Sequence, residues 1–414
     1  MKLITLALSS FLFIGTFQAQ VNKDKGNHTL PEDKIENDTI KNKKDGHYYF
    51  TVVKDIESLD VESQGRTGTC WSFSSLSFLE SEIIRIGKKP VSLSEMFIAR
   101  NAYLEKAITY VRMHGNFNFS AGGAFHDIPH IIKKYGIVPE EIYTGLNYGE
   151  DKHNHAEMDA ILKATVDQII KNPQRKLTTS WQTAINGILD AYLGEIPKEF
   201  EFNGKKFTPQ SYAASLGLNM NDYIAIGSFT HHPFYETFVL EVPDNWGFGT
   251  IYNVPMDEME QIMNDAIMKG YSVAWGSDVS EKGFSFTNGL AIVPEDEATI
   301  QVKGKDNKHF SDAGAEKVSN AFDEPVEEKK ITQEMRQEGF DNYQTQDDHG
   351  MHITGIVKDQ KGNKYYIVKN SWGKENYADG YFYASAAYVK YKTIDFMIHK
   401  DALSKELKNK LNIK

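Results

Sequence analysis

The strongest constraint on the fold is a change of hydrophobic period along the chain, from helical spacing in its first half to strand-like runs near its end. From Cys70, the stretch CWSFSSLSFLESEIIRIG sets Leu76, Leu79, Ile83 and Ile84 at helical spacing and closes at Gly87, so Cys70 opens a helix. Residues 124–135 predict a second helix ending at Gly136, and EMDAILKATVDQIIK, WQTAINGILDAYL and MDEMEQIMNDAIMKG predict more. SVAWGSDV reads as a strand, and HITGIVKDQ and KYYIVKNSW are β-rich runs joined by KGN, a hairpin signal. Helices first and sheet later predict an α+β protein, and no internal repeat is visible.

Segment boundaries follow composition. Residues 1–20, MKLITLALSSFLFIGTFQAQ, place Lys2 ahead of an apolar run that ends in small and polar residues, the pattern of a cleaved signal peptide, so the expected location is secreted or periplasmic. No later stretch supplies the roughly 20 apolar residues of a membrane span, and no cysteine stands directly after the cleavage region to carry a lipid. Residues 21–46 are dense in charge and predict a mobile leader. The remaining divisions are a helical lobe with Cys70 at 47–149, a helical insertion at 150–245, a β-rich lobe at 246–400 and a C-terminal helix or tail at 401–414. Within the β-rich lobe, 294–345 is charged and poor in large apolar residues, which predicts a solvated loop insertion.

With 414 residues, 40% of them apolar, the chain can bury substantial cores. A net charge of −11 and a pI near 5.7 speak against nucleic acid as a partner, because that affinity rests on Lys and Arg neutralising phosphates. A single cysteine excludes an intramolecular disulfide. The plain reading of such a residue is a small buried hydrophobe; its neighbours argue for chemistry.

A thiol, with a reference pKa of about 8.5, becomes a nucleophile beside a helix N-terminus and an imidazolium. In QGRTGTCW, Cys70 meets the first condition, and Gln64 six residues upstream offers an amide donor toward a reacting carbonyl. In DDHGMHITG and NSWG, His349 can supply the imidazole and Asn370 the amide that orients it, since the KGN turn brings both to one end of the hairpin. Asp347 and Asp348 would favour the charged ring, although solvation is their ordinary role.

These three blocks, QGRTGTCW, HGMHITG and KNSWG, resemble the active-site blocks of the papain-like cysteine peptidases, in the same order and with the same gap from Gln to Cys. Segments such as LSEMFIARNAYLEKA, KKYGIVPEEIY and YNVPMDEMEQIMNDAIMKGYSVAWGSDV resemble the bleomycin hydrolase and aminopeptidase C group, and the likeness runs from about Asp55 to His399. The resemblance implies a two-lobed fold, with a helical lobe carrying the cysteine helix and an antiparallel β lobe carrying His and Asn. It also implies hydrolysis of a peptide or protein substrate through an acyl-enzyme at Cys70, with His349 as general base and acid, Asn370 as orienter and Gln64 as oxyanion donor. Trp372 matches the indole shielding the Asn–His bond, Trp71 supports the site, and Gly122 and Gly123 match the glycines whose backbone pairs with extended substrate. A ring-shaped homohexamer is suggested by the resemblance alone, and no cofactor or metal is expected.

Two departures keep alternatives open. His349 follows Cys70 by 279 residues, against roughly 130 to 150 in the cysteine signature, an excess held by the two insertions. In the related group a C-terminal arm holds the substrate's amine, whereas this chain ends at Lys414 directly after ALSKELKNKLNIK, leaving little chain for an arm. Aminopeptidase and endopeptidase action both stay open, as do an inactive papain-like binding protein and an acyltransferase using the same triad. His352 competes with His349 as base, but three residues along a strand turn it to the other face. His126 and His130 have helical metal-ligand spacing, yet Pro129 interrupts them and no third ligand is evident.

Overall fold

A computed structural model describes residues 39–303 and 316–414. The expected signal sequence 1–20 and the leader as far as residue 38 lie outside the described residues. β1 (Ile40–Lys41) and β2 (Tyr49–Asp55) precede α1 (Cys70–Arg85), α2 (Glu95–Arg112) and α3 (Asp127–Tyr135). Then come α4 (Ala156–Ile170), α5 (Ser180–Leu193), a small hairpin of β3 (Phe200–Phe202) and β4 (Lys205–Phe207), and α6 (Pro209–Ser215). β5 (Tyr223–Gly227), β6 (Thr237–Val239), β7 (Thr250–Asn253), α7 (Met256–Met268), β8 (Val273–Ser277), β9 (Phe284–Ser285) and β10 (Leu290–Ala291) follow. A hairpin of β11 (Gln301–Lys303) and β12 (Glu316–Val318) leads to α8 (Gln333–Asp341), β13 (His349–Lys358), β14 (Lys364–Lys369) and β15 (Tyr381–Ser385). α9 (Ala386–Lys392), β16 (Thr393–His399) and α10 (Lys405–Lys410) complete the chain.

The main sheet has the order β6-β7-β5-β16-β8-β13-β14-β15-β10-β9, with β2 also pairing with β13. Alternation along its strands sends side chains to two cores. Ala274 and Met397 join the helical core around α1, whereas their neighbours Val273, Trp275, Phe396 and Ile398 join a core with α7. The sheet is thus covered on both faces at its centre, which is why β13 is buried along its length except at Lys358. Glycine makes the contact close: a Cβ on Gly350 would stand 2.8 Å from Ser74 Oγ and 3.2 Å from Trp71 Cα, so α1 seats directly on β13.

Local signals account for the helix ends that frame the site. Ser94 caps α2 by accepting from Phe97 N–H, and α3 stops at Gly136, whose φ of 81° only glycine adopts freely. Thr208 and Ser211 form a reciprocal capping box at α6, with Pro209 in the first turn.

The α+β expectation holds, and three local expectations need correction. Part of the expected mobile leader is ordered: from Thr39 it is fixed, with Ile40 paired to Phe50 and the buried Asn42 donating to the carbonyls of Asn288 and Phe322. The tract 150–245 holds α4, α5 and α6 but also the β3–β4 hairpin, and after Ser215 Tyr223–Gly227 turns to strand because its apolar residues pair with β16 inside the main sheet. The stretch 294–345 is structured where described, because a few buried groups anchor it. Glu328 accepts from Val293 N–H at 2.6 Å and Ser385 Oγ at 2.7 Å, and Arg336 of α8 donates to Ser228 O at 2.9 Å. Residues 304–315 of that stretch lie outside the described residues. No helix among the described residues is long and apolar enough to cross a membrane.

Candidate active site

Cys70 is the first residue of α1 and is 8% exposed. The N-cap residue Thr69 makes no capping bond with its side chain; its hydroxyl meets that of Thr67 at 2.5 Å instead. The positive end of the helix therefore stands at the thiol, where it favours the anionic sulfur.

His349 begins β13, and β14 ends one residue before Asn370. The register pairing His352 with Lys369 brings Asn370 to the end of the ladder where His349 starts it. His349 Nε2 lies 2.7 Å from Asn370 Oδ1, and the same oxygen accepts the backbone N–H of Ser371 at 2.8 Å. A backbone donor requires an acceptor there, which identifies that atom as oxygen and makes Nε2 the protonated nitrogen, leaving Nδ1 as the basic one. Trp372 is fully buried, and its ring lies over His349 at 4.7 Å between centroids, backed by Phe284 and Phe286. The indole excludes water from the imidazole–amide bond and so strengthens it.

Gln64 is fully buried and ties the cysteine loop to the β lobe. Its Nε2 donates to Thr67 O at 2.7 Å, its Oε1 accepts from Ser371 Oγ at 2.7 Å, and its backbone N–H meets Ser371 O at 2.9 Å. One of its two amide hydrogens is thus committed to its own loop.

Gly122 and Gly123 pass across the cleft from Cys70. The ring of Trp71 fills the space of a side chain at Gly123, coming within 2.8 Å of where a Cβ would stand, and Trp71 Nε1 donates to Ala121 O at 3.0 Å. A further residue holds this segment that the motifs did not disclose. The buried Lys106 of α2 donates to the carbonyls of Ser120 and Ala121, at 3.1 and 3.0 Å, and to that of Gly122. Burial pulls its ammonium down to about 8, against the opposing pull of Asp244 and Asp127.

Cys70, His349, Trp71, Gly122 and Gly123 line one cleft of about 850 Å³ counting its open mouth, whereas Gln64 lies behind its wall. Four aspartates line the same cleft: Asp244, Asp347, Asp348 and Asp395. Burial, then Asp244, Asp395 and Asp348, push the Asp347 carboxyl well above the ordinary range, and burial pushes Asp395 up to about 6. Only Asp347 and Asp348 attracted notice in the sequence. Asp395 left one trace, a lone charge within the apolar strand TIDFMIH.

His352 lies away from this cleft. It is fully buried, its Nδ1 meets Ser77 Oγ of α1 at 2.9 Å, and burial and Lys369 hold it well below the usual imidazole range. Lys369 donates to the same hydroxyl at 2.8 Å, so this polar seam locks α1 to the hairpin. His126 bonds Asn245 Oδ1 at 2.9 Å, and His130 packs edge-on to Trp246. Among the described residues, ligand atoms of His231, His232 and Glu241 do lie within 4.8 Å of one another, but His231 is already engaged by Glu241 at 2.6 Å and Gln337 at 2.9 Å.

Comparison with known proteins places these observations. Residues 13–308 and 313–414 match the model of the Peptidase C1-like family. Aminopeptidase G of Lactobacillus delbrueckii subsp. lactis is 23% identical over 393 residues, covering 84% of this chain and 82% of that protein. Aminopeptidase C of Listeria monocytogenes is 25% identical over 390 residues, covering 84% and 81%. The crystal structure of PepW from Lactobacillus rhamnosis superposes with a TM-score of 0.67 at 19% identity, over 87% of this chain and 84% of that one, and so shares the fold.

Proposed function

Because the chain belongs to the Peptidase C1-like family and is a papain-like α+β cysteine peptidase, we propose that it hydrolyses peptide bonds at Cys70 and acts at the free amino terminus of its substrate. The observation that carries the chemistry is the 2.7 Å bond between His349 and Asn370, in a cleft shared with Cys70 at a helix N-terminus. His349 Nδ1 takes the thiol proton, and the sulfur attacks the scissile carbonyl carbon. Gln64 Nε2 keeps its second hydrogen for the oxygen as it becomes anionic, a role that requires the side chain to turn from behind the cleft wall toward Cys70. The C–N bond breaks as His349 returns the proton to the leaving amine. Water, deprotonated by His349, then attacks the thioester, releasing the acid and regenerating the thiol. Asn370 and Trp372 keep the imidazole in register throughout, and Gly122 and Gly123 present backbone to the extended substrate.

The aminopeptidase part draws on the names of the relatives, aminopeptidases G and C. The sequence of residues 1–20 supports export before the enzyme acts. The test is turnover, by mature protein in reducing buffer, of a fluorogenic peptide with a free N-terminus and of its N-acetylated form, with Cys70→Ala as control. Cleavage lost with Cys70 and confined to the free amine is the expected result; cleavage that survives Cys70→Ala overturns the mechanism.

A further inference from the structure

The four cleft aspartates come from separate segments: Asp244 from the loop before β7, Asp347 and Asp348 from the approach to β13, and Asp395 from β16. Among the described residues, no lysine or arginine lines the cleft with them. Lys106 stands behind the wall with its ammonium spent on three carbonyls, and Asp348 accepts from Ser280 N–H at 3.1 Å and Ser280 Oγ at 2.5 Å. The other three carboxylates keep acceptor capacity unused. Asp395 is 4% exposed, and its Oδ2 has no hydrogen-bond partner among the described residues. No donor among the described residues reaches the half-buried Asp347. Asp244 takes Asn118 Nδ2 at 2.7 Å and Ser120 Oγ at 2.8 Å on Oδ1, leaving Oδ2 open.

Two glycines make room for this arrangement. Asp244 Oδ2 lies where a Cβ of Gly122 would stand, and Asp395 Oδ1 lies 2.8 Å from the Cβ position of Gly276. Buried carboxylates without partners are costly unless a cation satisfies them. His126 and Asp127 are the charged or titratable groups of α3 that act on Asp395, and their effects oppose each other. A compact cation with several N–H donors, entering from the substrate side beside the Gly122 backbone, would satisfy these acceptors.

We propose that Asp244, Asp347 and Asp395 form the subsite that receives the free α-ammonium group of the peptide substrate, and so make the enzyme act from the amino terminus. This rests on the peptidase reading above and adds the source of its end-specificity: side-chain carboxylates from three segments of the fold. The ammonium donates to Asp395 Oδ2 and Asp347, with Asp244 supplying the third acceptor at the Gly122 edge. An N-acetylated peptide brings no charge and leaves these carboxylates unpaired and desolvated.

The experiment compares kcat/KM for a fluorogenic peptide with a free amine and for its N-acetylated form, in wild type, Asp395→Asn and Asp347→Asn. Asp347 is half-buried and has no partner to lose, so its variant keeps the test decisive even where Asp395→Asn fails to fold. The expected result is a fall in the free-over-acetylated ratio by about 10- to 100-fold in each soluble variant, the scale of one charge-assisted hydrogen bond. A wild type with no preference for the free amine, or variants that keep the full preference, would overturn this assignment while leaving the peptidase reading intact. Turnover of neither peptide by wild type would remove the peptidase reading, and this inference with it.

Discussion

His349 Nε2 and Asn370 Oδ1 meet at 2.7 Å across 21 residues of sequence, and Ser371 N–H holds the same oxygen at 2.8 Å. The amide is therefore fixed before the imidazole needs it. Asn370→Ala frees the ring to rotate, and kcat is expected to fall about 10- to 100-fold, the usual scale for losing an orienting partner, with KM changed much less. Steady-state kinetics check this; an equal rise in KM would point to a role in binding.

Trp372 covers that bond and is fully buried among Phe284, Phe286 and His349. Trp372→Ala leaves a cavity, and the expected loss of stability is about 3–5 kcal/mol in urea unfolding. An effect below about 1 kcal/mol would mean that the neighbouring rings collapse into the space.

Lys106 donates to the carbonyls of Ser120, Ala121 and Gly122 together. Lys106→Met leaves those acceptors without their charged donor and loosens the backbone beside Cys70. The expected cost is about 1–3 kcal/mol of stability, with KM for peptides rising more than kcat falls. Unchanged KM would show that Trp71 alone, through its bond to Ala121, holds the segment.

Asp395 is pushed up to about 6 by burial, with His126 pulling down and Asp127 pushing up. Below that pH the carboxyl is neutral and attracts an ammonium weakly; above it the group is anionic. The free-over-acetylated ratio is therefore expected to climb as pH rises from about 5 to about 7, and to flatten in Asp395→Asn. The acetylated peptide carries no ammonium and serves as the reference for the rest of the pH dependence. A flat wild-type ratio would separate Asp395 from substrate binding.

Asp278 is pushed up to about 7, first by burial and then by Asp348. A carboxyl that binds its proton more tightly when folded stabilises the fold at low pH, and that contribution is lost as pH rises through its folded pKa. Asp348→Asn removes the repelling neighbour. Its thermal midpoint is expected to exceed that of wild type near pH 8 and to converge on it near pH 5, by calorimetry in matched buffers. A variant less stable than wild type at the higher pH would contradict this.

Much of the site was legible because each part depends on a short stretch. The helical period after Cys70 puts the thiol at a helix start, and the KGN turn puts His349 and Asn370 at one end of a hairpin. Local character misleads where tertiary pairing overrides it. Tyr223–Gly227 lies in a tract read as helical but is drawn into the sheet by β16, and Ile40 in a charged leader is captured by Phe50. The stretch 294–345 has few large apolar residues, yet single anchors such as Glu328 and Arg336 order its described parts.

Which residues begin the cysteine helix and which share an end of the hairpin follow from helix period and turn length, because both act over neighbouring residues. Which charges meet in the cleft follows from packing across the fold. Asp244, Asp347 and Asp395 lie on different elements, and Lys106 reaches the Gly122 segment from α2. Electrostatic proximity is a property of distance in space, and those distances exist only once the sheet and helices have packed.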